Sequence, residues 1–389
     1  MSSLMALLQW LCLVPVVGGA VYGLLTVPTA LRFRRKAMAS AAPPARTWPP
    51  ATVLKPVYGL EKNLRTNLRS FCLQDYPDYQ VVFSAQRDRD PAIPLLYELQ
   101  REFGAGRVSV VVKSVQAGMN GKVNNLLGGL TEARHDVLVI SDSDIRVGPD
   151  YLKAVVAPLA DPAVGCVCAP FKAVCADRWY EKLELLSMNA DFLPSVVFAL
   201  ATGASGYSNG QSITIRRETL EAIGGLESLG DYLVEDYEIG RRIWESGKKM
   251  AVIPYLLEAT VDLQSAGQWW SHQVYWDQNT RFARPGGFFA TVFTRSVPFA
   301  LLYALLRLLD PVGLAVLAAA LTVRLATGAL ALAAFGDREG LRSLWLLPVR
   351  DVLGLASWAL AFTQRTVIWR GAEFVLTRNG RLVPREARS

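Results

Sequence analysis

The chain has 389 residues, 51% hydrophobic and 19% charged, with 41 Lys and Arg against 34 Asp and Glu for a formal net charge of +7. That balance excludes a disordered chain, a small disulfide scaffold and an ordinary soluble enzyme. Two histidines all but exclude a His-based metal site or triad, and five cysteines at no zinc-like spacing read as small buried hydrophobes, so any catalysis must run on carboxylates.

From Leu4 to Leu31 no residue is charged, longer than the roughly 20 apolar residues a helix needs to cross a bilayer. Arg32, Arg34, Arg35 and Lys36 follow at once. A secretory signal places its positive charge before the apolar stretch, so the reversed order predicts a retained transmembrane helix, N-terminus outside, with the residues that follow in the cytoplasm. Residues 1–36 are therefore read as anchor and basic flank, 37–49 as a linker marked by Ala41–Pro44 and Pro49-Pro50, 50–290 as a polar α/β domain, and 291–389 as membrane segments with a basic tail.

Within the polar domain, apolar β-rich runs alternate with helical patterns. They are Thr52–Val57 then Glu61–Leu73, Tyr79–Ala85 then Ile93–Phe103, Val108–Lys113 then Val123–Ala133, and Val137–Ile140 then Tyr151–Leu159. This order predicts an α/β fold with a mainly parallel sheet covered on both faces, whose ligands bind beyond the carboxyl ends of the strands. The second strand is followed by Asp90-Pro91, which fits either a ribose or base contact or a helix start. After the third comes Gly118-Met-Asn-Gly-Lys122-Val-Asn-Asn125, a loop opening a helix, where backbone amides and one cation suit phosphates. The fourth runs straight into Asp142-Ser-Asp144, two carboxylates that can turn toward one divalent cation or cap a turn. Further on, Ser208–Ser212 leads into a strand, Gly224-Gly225 closes a short helix, and Glu235-Asp236 opens another. Adjacent acids at a helix start either answer its dipole or offer a general base.

After Arg295 the runs Ser296–Leu309, Val312–Phe335 and Leu344–Phe362 predict at least two further spans, with Arg350 and Asp351 facing protein or water. The basic stretch Arg378 to Arg388 is placed in the cytoplasm. The positive excess suits an anionic membrane face or a phosphate-bearing ligand, and no motif indicates nucleic acid.

Taken together, Lys55-Pro56, Asp90, Lys122 with Asn125, Asp142-Ser-Asp144 and Glu235-Asp236, between an N-terminal anchor and C-terminal spans, resemble membrane-bound family 2 and family 21 glycosyltransferases. Leu54–Gly59, Gln74–Pro77, Asn120–Leu126 and Asp142–Val147 look most like ceramide glucosyltransferases and their bacterial relatives, including hopanoid N-acetylglucosaminyltransferases. The resemblance implies a GT-A domain that takes a UDP-sugar, with Lys55, Asp90, Lys122, Asn125, Asp142 and Trp276 on the donor side. It also implies Asp142 and Asp144 on a Mg²⁺ or Mn²⁺ ion, and Asp236 as base. The family's later signature, Gln/Arg-x-x-Arg-Trp, is matched by His272-Gln-Val-Tyr275-Trp276, so Tyr275 stands where Arg is expected, and Arg281 or Arg284 is the candidate substitute.

The expected reaction is inverting transfer of a sugar, glucose first, from UDP to the hydroxyl of a membrane lipid such as ceramide, by a multi-pass membrane protein with a cytoplasmic catalytic domain. Transfer of N-acetylglucosamine to a hopanoid polyol is the alternative, and a catalytically impaired sugar-nucleotide sensor is another. Tyr207 to Gln211 is expected to shape the pocket.

Overall fold

The computed structural model describes residues 3–39, 47–203, 210–363, 366–369, 372–377 and 380–384. Ala41–Pro44, Tyr207 to Asn209, and Arg378, Asn379 and the residues from Arg385 onward lie outside the described residues. In chain order the elements are α1 (Ser3–Ala39), β1 (Ala51–Pro56), α2 (Leu64–Cys72), β2 (Tyr79–Ala85), α3 (Ile93–Phe103), β3 (Val108–Val112), α4 (Gly121–Leu130), β4 (Val137–Ser141), β5 (Ile145–Arg146) and α5 (Tyr151–Val156). Then follow β6 (Val164–Cys168), β7 (Phe171–Val174), α6 (Trp179–Ser187), α7 (Leu193–Thr202), β8 (Ser212–Arg216), α8 (Arg217–Ala222), α9 (Glu235–Glu245), β9 (Lys249–Val252) and β10 (Leu257–Thr260). The rest are α10 (Ala266–Ala283), α11 (Pro285–Ala290), α12 (Ser296–Leu306), α13 (Pro311–Ala334), α14 (Arg338–Arg342), α15 (Leu347–Thr363) and strands β11 to β13 (Thr366–Trp369, Ala372–Leu376, Leu382–Pro384). The chain divides into two units, one of Met1–Arg35, Ala173–Ala204 and Leu263–Val367, the other of Lys36–Lys172, Ser205–Asp262 and Ile368–Ser389.

The second unit holds a seven-stranded sheet in the order β3-β2-β1-β4-β8-β6-β9. Strands β3, β2, β1 and β4 are mutually parallel, as are β6 and β9, while β8 runs antiparallel between β4 and β6. The expected mainly parallel sheet is therefore present. Every residue of β1, β2 and β4 is buried, which is why these strands read as continuous runs instead of alternating ones. Helix α4 lays Val123, Leu126 and Leu127 into a core with Leu54, Val82, Leu138 and Ile140. Successive connections lead from β1 outward to β3 and then back to β4 on the other side of β1, so the strand order reverses between β1 and β4. In open α/β sheets that switch point opens a crevice at the carboxyl ends of the two strands. Helix α2 begins at Leu64, three residues later than the Glu61 start the pattern predicts, and leaves Glu61 in the loop after β1.

Helix α4 starts at a capped end. The Asn120 side-chain oxygen accepts from the amides of Lys122 at 2.9 Å and Val123 at 3.1 Å, and its amide donates to Tyr232 O at 2.7 Å and Glu235 Oε2 at 3.1 Å. Asn120→Ala is expected to cost about 1–2 kcal/mol for the lost cap, seen as a lower midpoint of thermal unfolding in detergent. An unchanged midpoint would show that the cap contributes nothing.

The first unit is helical, and among the described residues four helices are long and apolar enough to cross a membrane: Ser3–Met38, Trp179–Thr202, Pro311–Ala334 and Leu344–Thr363. Three match the sequence reading, while Trp179–Thr202 interrupts the domain read as polar throughout. The segments Pro285–Thr294 and Ser296–Leu306 form a pair bent by 56°, which accounts for the short apolar run there. Helix α1 packs through glycine: a Cβ on Gly18 would lie 2.5 Å from Phe293 O and one on Gly19 2.7 Å from Ser296 N. Small residues of this kind let membrane helices approach closely.

Candidate active site

The strand ends at the switch point carry the charges. Lys55, the penultimate residue of β1, is wholly buried, and its ammonium donates to Asp142 O, reaches Ser141 Oγ at 3.5 Å and lies 3.8 Å from the centre of the Phe71 ring. Burial pushes the Lys55 ammonium down to about 7, against the pull of Asp144, Asp142 and Glu61. Just past β4, the Lys122 ammonium lies 2.6 Å from Asp142 Oδ1 and 2.9 Å from Glu235 Oε1, with Gly210 O at 3.5 Å. Burial opposes the charge on Lys122, but Asp142, Glu235 and Asp236 together raise its pKa.

Asp144 turns inward at the same edge. Its Oδ1 is buried and has no hydrogen-bond partner among the described residues, and burial followed by the charges of Asp142 and Glu61 raises its pKa to about 7. Asp236, in the first turn of α9, accepts from the Tyr237 amide at 2.8 Å. Burial, then the neighbouring Glu235 charge, raises Asp236 to about 7, with Lys122 pulling the other way. Glu61 accepts from Ser143 Oγ at 2.7 Å and is raised chiefly by burial. Through these mutual charge effects Lys55, Lys122, Glu61, Asp142, Asp144, Glu235 and Asp236 form one electrostatic cluster, five carboxyls against two ammoniums.

Two expected residues sit beside the cluster with local partners. Both Asp90 oxygens accept from the Gly59 amide at 3.0 Å, and Oδ1 also accepts from Ala92 N at 2.9 Å, so this carboxylate joins the loops after β1 and β2, while Ala92 is the residue at the cap of α3. Asn125 donates to Val57 O at 2.9 Å, and its Oδ1 is buried without a partner among the described residues. The structure thus brings Lys55, Lys122, Asp142, Asp144 and Asp236 together at one sheet edge. It adds Glu61, which the sequence reading places on a helix, and gives definite places to Glu235 and Gly210, named there only within Glu235-Asp236 and Tyr207 to Gln211. Glu61 lies after β1 as the other acids lie after their strands, which was the available signal. Glu235 becomes the second partner of Lys122. Gly210 is fixed by space, since a Cβ there would lie 2.6 Å from Asp236 Oδ2.

A divalent cation fits this donor set. Among the described residues no three His, Cys, Asp or Glu side chains converge as a ready-made cage. The orphaned Asp144 Oδ1 and the neighbouring Asp142 carboxylate offer the one or two hard oxygen ligands that leave the remaining positions to phosphate.

Trp276 lies in the helical unit, on α10, where its indole N–H donates to His272 Nε2 at 2.7 Å. The Tyr275 ring stacks on His272 with an interplanar angle of 11°. The Arg281 guanidinium lies 4.5 Å from the Phe282 ring centre and 5.8 Å from that of Phe362.

Residues 12–382 match the family model described as glycosyl transferase family 21, nearly the whole chain, and the chain belongs to that family. Ceramide glucosyltransferase 1 of Caenorhabditis elegans is 27% identical over 213 residues, 54% of this chain and 45% of the nematode protein. A ceramide glucosyltransferase of Gibberella zeae is 31% identical over 136 residues, 32% of this chain and 26% of that protein. The matched stretch thus spans less than half the length of these curated relatives. Among solved structures, a mannosyltransferase from Pyrobaculum calidifontis in complex with GDP-Man and Mn²⁺ is similar with a TM-score of 0.48 at 19% identity, covering 90% of this chain and 99% of that one. The mainly parallel α/β unit and the membrane-length helices agree with the architecture the family resemblance implies.

Proposed function

We propose that this chain is an inverting glycosyltransferase that moves glucose from UDP-glucose to the primary hydroxyl of ceramide or a similar membrane lipid. The observation that carries the reading is the convergence of Lys122, Asp142, Asp144, Glu235 and Asp236 at the sheet's switch point, in a member of family 21. Asp236 takes the proton of the acceptor hydroxyl as its oxygen attacks the anomeric carbon opposite the departing UDP. A single base with no enzyme nucleophile gives inversion. Asp142 and Asp144 would hold a Mg²⁺ or Mn²⁺ ion, whose charge, when bound, offsets the negative charge developing on the diphosphate. Lys122 contributes a second positive charge at the same edge, while Asp90 and Asn125 hold the loops that face the nucleotide. Arg281 or Arg284 supplies the cation that Tyr275 lacks. The protein is multi-pass, with the catalytic unit on the cytoplasmic side marked by Arg32 to Lys36.

The direct test offers purified protein in detergent UDP-glucose, UDP-N-acetylglucosamine and UDP-galactose, each with ceramide, a hopanoid polyol or diacylglycerol, with and without Mn²⁺, and measures UDP release. Highest turnover with UDP-glucose and ceramide is the expected outcome. UDP-N-acetylglucosamine with the polyol as best pair would replace both substrates and keep the class, whereas no release from any pair would remove the enzymatic reading. Asp144→Asn is expected to abolish Mn²⁺ binding in the presence of UDP, followed by electron paramagnetic resonance. Undiminished binding in that variant would remove Asp144 from the metal.

A further inference from the structure

Helix α9 begins without a cap of its own, because Val234, the residue before Glu235, offers no side-chain oxygen to the first amides. Its starting point is set by the loop before it, and two groups from elsewhere in the same unit hold that loop. On one side Asn120 donates its backbone amide to Gly230 O at 2.6 Å and its side-chain amide to Tyr232 O at 2.7 Å, the same nitrogen reaching Glu235 Oε2 at 3.1 Å. The other hold comes from residues 380–382, in the hairpin formed by β12 and β13. Leu233 N donates to Gly380 O at 3.1 Å and Leu382 N to Asp231 O at 2.8 Å, so Tyr232 and Arg381 stand opposite each other as an antiparallel pair. Leu233 and Leu382 are both buried, and the Tyr232 ring centre lies 5.2 Å from the Arg381 guanidinium and 5.5 Å from that of Arg242 on α9. In sequence residues 380–382 belong to the basic tail beyond the membrane-length helix Leu344–Thr363, with nothing to tie them to the site.

We propose that the β12–β13 hairpin positions the first turn of α9, and with it Glu235 and Asp236, by pairing with Asp231–Leu233. This rests on Asp236 acting as the base. An unbroken set of contacts joins the pinned loop to the site: Tyr232 O and Glu235 Oε2 share the Asn120 side-chain amide, and Glu235 Oε1 lies 2.9 Å from the Lys122 ammonium. Lys122 keeps Asp142 Oδ1 as a second partner at 2.6 Å, so loss of the hairpin displaces the base more than the cation on the donor side.

Leu382→Pro in the full chain, assayed in detergent with the best donor and acceptor pair, is the test. Proline deletes the amide that donates to Asp231 O, whereas the hairpin's own bond from Thr377 N to Arg381 O, at 3.0 Å, is left in place. The variant is expected to lower kcat about tenfold, a misplacement of the base, with the donor KM changed less than about twofold. Tyr232→Cys with Arg381→Cys is expected to cross-link on oxidation, since residues opposite each other in such a pair stand about 4.5 Å apart at Cα, within disulfide range. Added to Leu382→Pro, that cross-link is expected to restore most of kcat, and reduction is expected to take the gain away. Unchanged kcat in Leu382→Pro, or a raised donor KM at unchanged kcat, would overturn the positioning role, and two cysteines that never cross-link remove the pairing itself. Should Leu382→Pro fail to fold, Tyr232→Ala with Arg381→Ala takes its place, with a fall of about threefold in kcat expected from the lost ring contact and a full kcat overturning the proposal. Asp236→Asn in the same assay keeps the two readings apart. If that variant stays active, the base reading fails and this proposal with it, whereas an inactive Asp236→Asn beside a fully active Leu382→Pro overturns the hairpin's role alone.

Discussion

Asp236→Asn is expected to lower transfer by about 10²–10⁴-fold, the contribution typical of a general base, while UDP still binds. The carboxylate is seated from three sides: the Tyr237 amide holds Oδ1, Gly210 leaves no room for a methyl group against Oδ2, and Glu235 precedes it in the same helical turn. Burial and the Glu235 charge raise its pKa to about 7, close to the operating pH, where a base is strong enough to accept a proton and a substantial share of it is ionised. The active form is the ionised one, so kcat/KM is expected to rise with pH through about 7 and the variant's residual rate to lose that dependence. Stability runs the other way. The folded state holds the Asp236 proton more tightly than the unfolded chain does, so its contribution to stability is present at acid pH and is lost as pH climbs from the ordinary carboxylate range through about 7. Asp236→Asn, neutral at every pH, is therefore expected to melt above the wild type at pH 8 while being the less active protein. A variant that keeps a third of its activity would exclude Asp236 as base and favour an acceptor that needs no deprotonation, such as a lipid phosphate.

Much of this site was legible because parallel sheets obey a positional rule. Once Val137–Ile140 reads as a buried strand, Asp142 and Asp144 must emerge at its carboxyl end, and the loops after the neighbouring strands must emerge beside them. What sequence spacing could not supply was the pairing. Lys122 reads as a phosphate cation from its place at the start of α4, yet that it bridges Asp142 and Glu235 depends on how α9 returns to the sheet more than a hundred residues later. Glu61 was hidden by a boundary: counted as the first residue of a helix it answers the dipole, whereas in the loop before Leu64 it joins the cluster. Asp90 reads in sequence as a helix cap or a nucleotide contact, yet Ala92 is the residue at the cap of α3, and the Asp90 carboxylate instead accepts from the Gly59 and Ala92 amides.

The membrane-length helices show the same division between what composition reveals and what only contacts reveal. Long apolar runs with at most two charges, or none before the basic flank at Arg32, identified Ser3–Met38, Pro311–Ala334 and Leu344–Thr363, but Trp179–Thr202 carries Glu181, Lys182, Glu184 and Asp191 and so read as part of the polar domain. The three acids are paired inside the helical unit, Glu181 with the Asp177 and Arg178 amides and Glu184 with Gln273. A π-helical turn at Met188–Phe192 carries Asp191 toward Arg324 of α13, at 2.5 Å, and toward Arg350 of α15. Asp351 completes the group, 2.7 Å from Arg324 Nε and 3.4 Å from Arg350 Nη1.

Asp351→Leu is accordingly expected to destabilise the protein by about 3–5 kcal/mol, because it removes a buried carboxylate and leaves two largely enclosed guanidinium groups to share the more exposed Asp191. The pairing of two acids with two bases, each drawn from three helices of membrane length, makes the group a lock between those helices, so the loss is expected to appear as a single lowered unfolding transition. Removing both members of one pair, Arg324→Leu with Asp351→Leu, is expected to recover part of the loss, since an ion pair replaced by apolar side chains of similar volume need not cost stability even where a broken pair does. The cycle measured by thermal unfolding in detergent separates the two outcomes. If Asp351→Leu costs less than about 1 kcal/mol, Arg324 and Arg350 have found water in the unit, and the network is a solvated patch instead of a lock.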